Sequence, residues 1–109
     1  MTVEQLIAKC GFETVSLPNS SLEISGVYIG DLLSRVMGRA QEGDCWITIM
    51  SNLNVIAVAS LTDVSCVILA EGVTLEDEVL ERAKEKQINI ISSSLSAYET
   101  ALKISECLI

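Results

Sequence analysis

The chain has 109 residues, half of them hydrophobic, and a formal net charge of −8 from 15 acidic and 7 basic residues. This length predicts one domain over residues 1–109 that can fold without a metal or a disulfide. The acidic balance argues against nucleic acid and anionic membranes as partners. The lack of histidine removes the common zinc ligand sets and every Ser-His or Cys-His nucleophile pair.

Membrane insertion and export are not indicated by the sequence. No apolar stretch reaches the roughly 18–20 residues of a membrane span, and the N-terminus lacks the basic start and apolar core of a signal peptide. We therefore expect a cytoplasmic protein. The four cysteines, which are widely spaced and form no Cys-x-x-Cys pair, are interpreted as small core side chains: Cys10, Cys45, Cys66 and Cys107.

The first quarter of the chain predicts a helix and then a strand. Thr2 and Gln5 have the spacing of a capping box, and Gly11 is placed to end the helix. Residues 12–17 alternate in hydropathy, which is typical of a strand. Residues 18–21 contain the only proline of the chain and have turn chemistry.

The middle of the chain predicts a short strand at residues 22–24, then a short helix that Asp31 caps and Gly38 ends. Residues 45–50 are strongly β-prone. Residues 54–61 combine β-branched residues with alanine and fit either a strand or a helix.

A second apolar run at residues 64–69 decides between these alternatives. Two parallel strands need a crossover of about a dozen residues, and residues 51–63 provide one. The segment 54–61 is therefore predicted to be a buried helix.

The last third predicts a helix over residues 75–87 capped by Thr74, a strand at residues 88–91, and a final helix that begins at residues 92–94. Strands apolar on both faces alternate with helices in this order. The pattern indicates a single α/β domain with a mainly parallel central sheet and helices on both faces.

Three blocks of the sequence resemble the DRTGG domain family: "GVYIGDLLSRVM", "GDCWITIMSNLNVIAVASLTDVSCVILAEG" and "VLERAKEKQINIISSSLSAYETA". The resemblance is strongest over residues 22–105. The family is similar to the N-terminal domain of HPr kinase/phosphatase and, more remotely, of the Mur ligases. The resemblance implies an α/β accessory domain that regulates or dimerises rather than catalyses, found beside phosphotransacetylases, inorganic pyrophosphatases and nucleotide-sensing modules. It transfers no catalytic residue.

Three polar segments follow predicted strands, where ligands bind in parallel sheets: residues 51–54, 70–74 and 92–94. The residues there that are candidates for contacting a ligand are Ser51, Asn52, Asn54, Ser92 and Ser93. The alternative is that they only cap helices. None of the basic residues lies in these segments, whereas acidic residues crowd the middle one. A neutral or zwitterionic ligand is therefore favoured over a phosphate.

Other polar features are interpreted as structural. Residues 26–31 are not a phosphate loop, because Gly30-Asp31-Leu32 has neither the cation nor the hydroxyl with which such a loop ends, so the glycines are assigned to turn geometry. The carboxylates of Asp31, Glu42, Asp44 and Asp63 are interpreted as solvated, and Trp46 as a core residue. No catalytic residue, metal ligand or cofactor is predicted.

The final helix has an apolar face that covers about half its circumference and ends at residues 107–109. Such a face predicts either a deeply buried helix or contact with a second chain, and the second reading implies a homodimer. The sequence thus favours a non-catalytic regulatory or interaction module that self-associates and acts in trans on a partner enzyme. The alternative is a sensor of a nucleotide or metabolite at the carboxyl ends of the strands.

Overall fold

The computed structural model describes residues 1–108, in which helices and strands follow one another along a short chain. The helices are α1 (Val3–Cys10), α2 (Leu33–Arg39), α3 (Leu53–Thr62), α4 (Asp77–Glu85) and α5 (Ala97–Leu108). The strands are β1 (Glu13–Ser16), β2 (Gly26–Ile29), β3 (Asp44–Thr48), β4 (Cys66–Leu69) and β5 (Ile90–Ser92).

The strands form one sheet in the order β1-β5-β4-β3-β2. All neighbours are parallel except β1 and β5, which are antiparallel and shift register between Thr14 and Ser16. Trp46 of β3 pairs with Val67 of β4 in the parallel register. The predicted fold, a mainly parallel sheet in an α/β domain, is confirmed.

Helices cover both faces of the sheet because successive strand residues point to opposite sides. On one face, Trp46 and its neighbours pack beneath α2, α3 and α4. On the other, Cys45 and Ile47 pack with residues of α1 and α5. Every residue of β3 and β4 is buried, which explains why both strands are apolar except at Asp44 and Thr48, the two ends of β3.

Several local predictions are confirmed. Thr2 and Gln5 form the capping box of α1, and Gly11 ends this helix in the left-handed conformation. The segment 54–61 lies within α3, so the helical crossover is correct. Trp46 is fully buried and donates a hydrogen bond from Nε1 to the Gly30 carbonyl at 2.8 Å.

The prediction for residues 22–38 is wrong in three details. Residues 22–24 contribute only an isolated bridge between Glu23 and Thr2, and the strand is β2. Asp31 does not cap α2, because its carboxylate accepts hydrogen bonds from Thr48 Oγ1 at 2.8 Å and from the Ile49 amide at 3.0 Å. Gly38 lies inside α2, which continues to Arg39.

Asp44 is buried rather than solvated. It is the first residue of β3, and its carboxylate accepts a hydrogen bond from the Gln41 amide at 2.8 Å. This bond closes the loop that connects α2 to β3, so the interpretation of the Asp44 carboxylate as solvated is wrong.

The helix starts in the last third also differ from the prediction. Helix α4 begins at Asp77 after Glu76, so Thr74 does not cap it. Helix α5 begins at Ala97, because Ser96 and Glu99 exchange capping hydrogen bonds at 3.2 and 3.3 Å. Strand β5 begins two residues later and ends one residue later than predicted. Ile109, at the end of the predicted apolar face, lies outside the described residues.

Candidate functional site

Ser51, Asn52 and Asn54 lie where β3 ends and α3 begins. They line a cavity of about 410 Å³. The opposite wall consists of Glu76, Glu78 and Val79 at the start of α4. These three candidates are therefore brought together at the carboxyl end of a parallel strand, as the sequence predicted.

The start of α3 lacks the side-chain cap that the sequence suggested. Asn52 has the backbone conformation of an N-cap, but within residues 1–108 its side chain makes no capping hydrogen bond. The first turn of α3 also carries no acidic residue. Its amide groups and the positive end of its dipole favour an acceptor atom, but Glu76 and Glu78 face the same cavity and oppose an anion.

Ser92 and Ser93 lie in a different cavity, of about 330 Å³, which Gly72 and Thr74 also line. The segments 70–74 and 92–94 thus meet as predicted, whereas residues 51–54 face elsewhere. The five candidate residues do not form one site.

The Ser93 side chain is hydrogen-bonded to other residues of the protein. It is buried, its hydroxyl contacts Thr100 Oγ1 at 2.8 Å, and its Oγ accepts a hydrogen bond from the Leu95 amide at 3.2 Å. The Ser93 amide donates to the Leu69 carbonyl, and its carbonyl accepts from the Gly72 amide. These hydrogen bonds connect the end of β5 with α5 and with the 70–74 segment.

The backbone donors of the 70–74 segment are also occupied. The amides of Ala70, Glu71, Gly72 and Val73 donate to the carbonyls of Thr48, Leu95, Ser93 and Ala70, respectively. Because these N–H groups point into the protein's own loops, they do not form a phosphate cradle here.

Lys103 is a lining residue that the sequence reading missed. It belongs to α5, beyond the 92–94 segment, and its Nζ donates to the Cys10 carbonyl at 3.2 Å. The sequence signal for Lys103 was the helical periodicity of α5, because side chains three or four residues apart lie on the same side of a helix.

An exposed apolar surface borders the face covered by α1 and α5. Val27 and Ile29 of the edge strand β2 are 37% and 48% exposed, and they pair in register with Cys45 and Ile47 of this face. On α5, Tyr98 is 71% exposed and Leu102 is 46% exposed.

Tyr98 and Leu102 lie on the side of α5 that points away from α1. Cys107 contacts Cys10 of α1, and nine residues at about 100° each place Tyr98 on the opposite side of α5 from Cys107. Helix α5 packs against β3, which is the neighbour of β2 in the sheet. We call Val27, Ile29, Tyr98 and Leu102 the α5 apolar surface.

Two kinds of site have no counterpart in the described part of the chain. Residues 1–108 contain no group of three or more His, Cys, Asp or Glu side chains arranged to hold a metal ion. None of their helices is both long and apolar enough to cross a membrane.

One solved structure that resembles this chain is the crystal structure of the CBS and DRTGG domains of the regulatory region of Clostridium perfringens pyrophosphatase, complexed with the activator diadenosine tetraphosphate. The TM-score is 0.76 at 18% identity, and the match covers 94% of this chain and 45% of that one. The present chain thus spans less than half the length of that region.

Comparison with curated proteins finds no match. The model of the DRTGG domain family, by contrast, matches residues 8–107, nearly the whole chain. The five-stranded α/β fold agrees with this match, and the chain belongs to the DRTGG domain family.

Proposed function

We propose that this protein is a non-catalytic regulatory module that self-associates through the α5 apolar surface and acts on a partner protein. The observation that carries the proposal is the exposure of Tyr98 and Leu102 on α5 and of the apolar residues Val27 and Ile29 on the edge strand β2. Water-exposed apolar side chains mark interaction surfaces when they form a contiguous patch, and we propose that the α5 apolar surface is one. The similar fold of a pyrophosphatase regulatory region supports a regulatory role.

A second copy of the chain fits this surface better than a charged partner does. None of the four residues of the α5 apolar surface is charged, so pairing two copies buries no unpaired charge there. Each copy carries a net charge of −8, and this repulsion opposes association at low salt. Self-association should therefore strengthen as salt rises, because salt screens the repulsion and leaves apolar burial intact.

Sedimentation equilibrium of Leu102→Lys and the parent protein tests the surface. We expect the variant to raise the dimer dissociation constant at least about tenfold, because a buried lysine would lose its hydration at the contact. Leu61→Lys is the matched control, since Leu61 is 70% exposed on α3, on the other face of the sheet. A monomeric parent at high protein concentration, or dissociation caused by Leu61→Lys instead, would contradict the proposal.

Action on a partner requires a separate measurement. We expect affinity purification from the native cell to recover one enzyme in constant ratio to this protein, and the purified enzyme to change activity when the protein is added. An enzyme that binds but whose rate is unaffected would refute the regulatory part while leaving self-association intact.

The second candidate function is a small-ligand sensor at the carboxyl end of β3. The cavity formed by Ser51, Asn52 and Asn54 supports it, because an uncapped helix start there offers donors to a ligand oxygen. A neutral or zwitterionic metabolite suits the nearby carboxylates, whereas diadenosine tetraphosphate, the activator held by the pyrophosphatase region, is strongly anionic.

Thermal unfolding with a panel of nucleotides, diadenosine tetraphosphate and zwitterionic metabolites tests the sensor. A saturable rise in melting temperature that Asn54→Asp abolishes and Ser94→Asp leaves unchanged would support this site. No rise with any member of the panel would leave the interaction module as the better proposal.

A further inference from the structure

All four cysteines of the chain lie on one face of the sheet. Cys10, Cys45 and Cys66 belong to the core cluster beneath α1 and α5, and Cys107 packs against this cluster. Cys45 and Cys66 are register partners on β3 and β4. Cys10 and Cys107 are 97 residues apart in sequence, but their Sγ atoms are 3.1 Å apart across the contact between α1 and α5.

We propose that Cys10 and Cys107 are a redox modification site, at which a peroxide forms a reversible disulfide that joins α1 to α5. A disulfide requires an S–S separation of about 2 Å, so the sulfurs need to approach by about 1 Å. Cys107 lies in the last turn of α5, where a shift of this size disturbs few other contacts.

The two thiols differ in access. Cys107 is partly exposed, while Cys10 is only 4% exposed. Burial, followed by the hydrogen bond with Cys107, raises the pKa of Cys10 to about 12, so Cys10 remains protonated at neutral pH. A peroxide therefore meets Cys107 first, and Cys10 is positioned to resolve the product. Cys45 and Cys66 are fully buried and shielded from the oxidant.

The chemistry takes two steps that balance. The Cys107 sulfur attacks one oxygen of hydrogen peroxide, the O–O bond breaks, and the products are Cys107 sulfenic acid and water. The Cys10 sulfur then attacks the Cys107 sulfur, the S–O bond breaks, and the hydroxyl leaves as water with the Cys10 proton. Two thiols are oxidised by one peroxide, and a dithiol reductant restores them by exchange.

This site is independent of the proposed self-association. Tyr98 and Cys107 lie on opposite sides of α5, so Cys107 remains accessible when the α5 apolar surface is covered. The modification fixes the position of α5 against α1, and thereby of the helix that carries part of that surface.

Peptide mapping of the intact protein tests the pairing directly. After peroxide treatment, free thiols are alkylated in acidic denaturant and the chain is digested with trypsin. Cleavage after lysine and arginine places Cys10 in peptide 10–35, Cys107 in peptide 104–109, and the other two cysteines together in peptide 40–82. We expect peptides 10–35 and 104–109 to become linked while peptide 40–82 takes up two alkyl groups.

Three outcomes of the same map would overturn the proposal: four alkylated cysteines after oxidation, a disulfide within peptide 40–82, or a link between two copies of peptide 104–109. Variants of the two cysteines test which thiol is oxidised first. Cys10→Ser should leave a Cys107 sulfenic acid that a dimedone probe labels, whereas Cys107→Ser should leave Cys10 unlabelled. Labelling of Cys10 in Cys107→Ser would overturn the assigned order.

The oxidised protein should melt on the order of 10 °C above the reduced protein, because the bond closes a loop of nearly the whole chain. Cys66→Ala is the matched control, since it removes a cysteine of the same cluster and should keep both the link and the rise. An oxidised form that melts below the reduced form would show that the geometry is not suited to the bond.

Discussion

The side chain of Asn89 makes two hydrogen bonds with the backbone of Asn19, one to its carbonyl and one from its amide. Its Nδ2 donates to the Asn19 carbonyl at 2.8 Å, and its Oδ1 accepts from the Asn19 amide at 2.9 Å. The same Nδ2 donates to the Ser65 carbonyl at 2.9 Å. One buried amide therefore connects the turn after β1 with the starts of β4 and β5.

Replacing this amide should destabilise the fold strongly. Asn89→Ala removes the partner of the Asn19 amide and a donor to the carbonyl of the buried Ser65, while the Asn19 carbonyl keeps only the bond from the Leu22 amide at 3.3 Å. We expect a loss of about 3 kcal/mol in unfolding free energy. Urea unfolding followed by the fluorescence of Trp46 measures it. Asn54→Ala, at an exposed position of α3, should change the free energy by less than about 0.5 kcal/mol. Equal effects of the two variants would show that the bonds of Asn89 contribute little.

Two glycines should respond to alanine in opposite directions. Gly43 has a φ of 85°, and an added Cβ would clash with Ser25 Oγ and lie 3.3 Å from Ser25 Cβ. Gly43→Ala should therefore cost about 2 kcal/mol or more. Gly38 lies within α2 with open space around its Cα, so Gly38→Ala should stabilise by about 0.5–1 kcal/mol. Denaturant midpoints of both variants check the prediction, and a loss at Gly38 would refute the helical assignment.

The Ser93 and Thr100 hydroxyls should be energetically coupled. Ser93→Ala leaves the buried Thr100 hydroxyl without its partner at 2.8 Å and should cost about 2 kcal/mol. Adding Thr100→Val removes the orphaned hydroxyl, so the double variant should be more stable than the sum of the single effects by about 1 kcal/mol. Additive effects would mean that Ser93 is available for another role, such as contact with a ligand.

Alkaline pH should destabilise the protein through Cys66. The hydrogen bond with Cys45, followed by burial, raises the pKa of the Cys66 thiol above its ordinary value of 9.0. Below pH 9 this thiol is protonated in both the folded and the unfolded state, and its full contribution to the free energy of unfolding is present. Above pH 9 the unfolded thiol ionises while the folded one does not, so stability falls as pH rises.

Comparing the pH dependence of stability in Cys66→Ala and in the parent isolates the effect of Cys66, because both proteins contain the same lysines and tyrosines. Unfolding free energies of Cys66→Ala and the parent, measured from pH 8 to 11, should diverge in slope by at most about 1.4 kcal/mol per pH unit above pH 9. Parallel series would show that Cys66 ionises equally easily in the folded and unfolded states.

The DRTGG resemblance and the α/β fold could both be predicted from the sequence. The physical reason is the burial of the central strands. Strands buried on two faces are predominantly apolar, and residues 45–50 and 64–69 are apolar apart from Thr48 and Ser65 and are separated by a helix-length crossover. The parallel pair of Trp46 and Val67 follows from that pattern. Three of the candidate residues, Ser51, Asn52 and Asn54, could be placed together because they are neighbours in sequence.

The remaining features depend on contacts between distant segments. Strand β2 is half exposed and starts with glycine, so its local signal is weaker than that of residues 22–24, and its pairing with β3 decides its structure. The separation of Ser92 and Ser93 from the other candidates has the same origin, as has the contact of Cys10 with Cys107. Hydropathy along a chain records whether a residue is buried. The partner against which it is buried is decided only when separate segments pack together, because that choice depends on the shape and bonding of the whole domain.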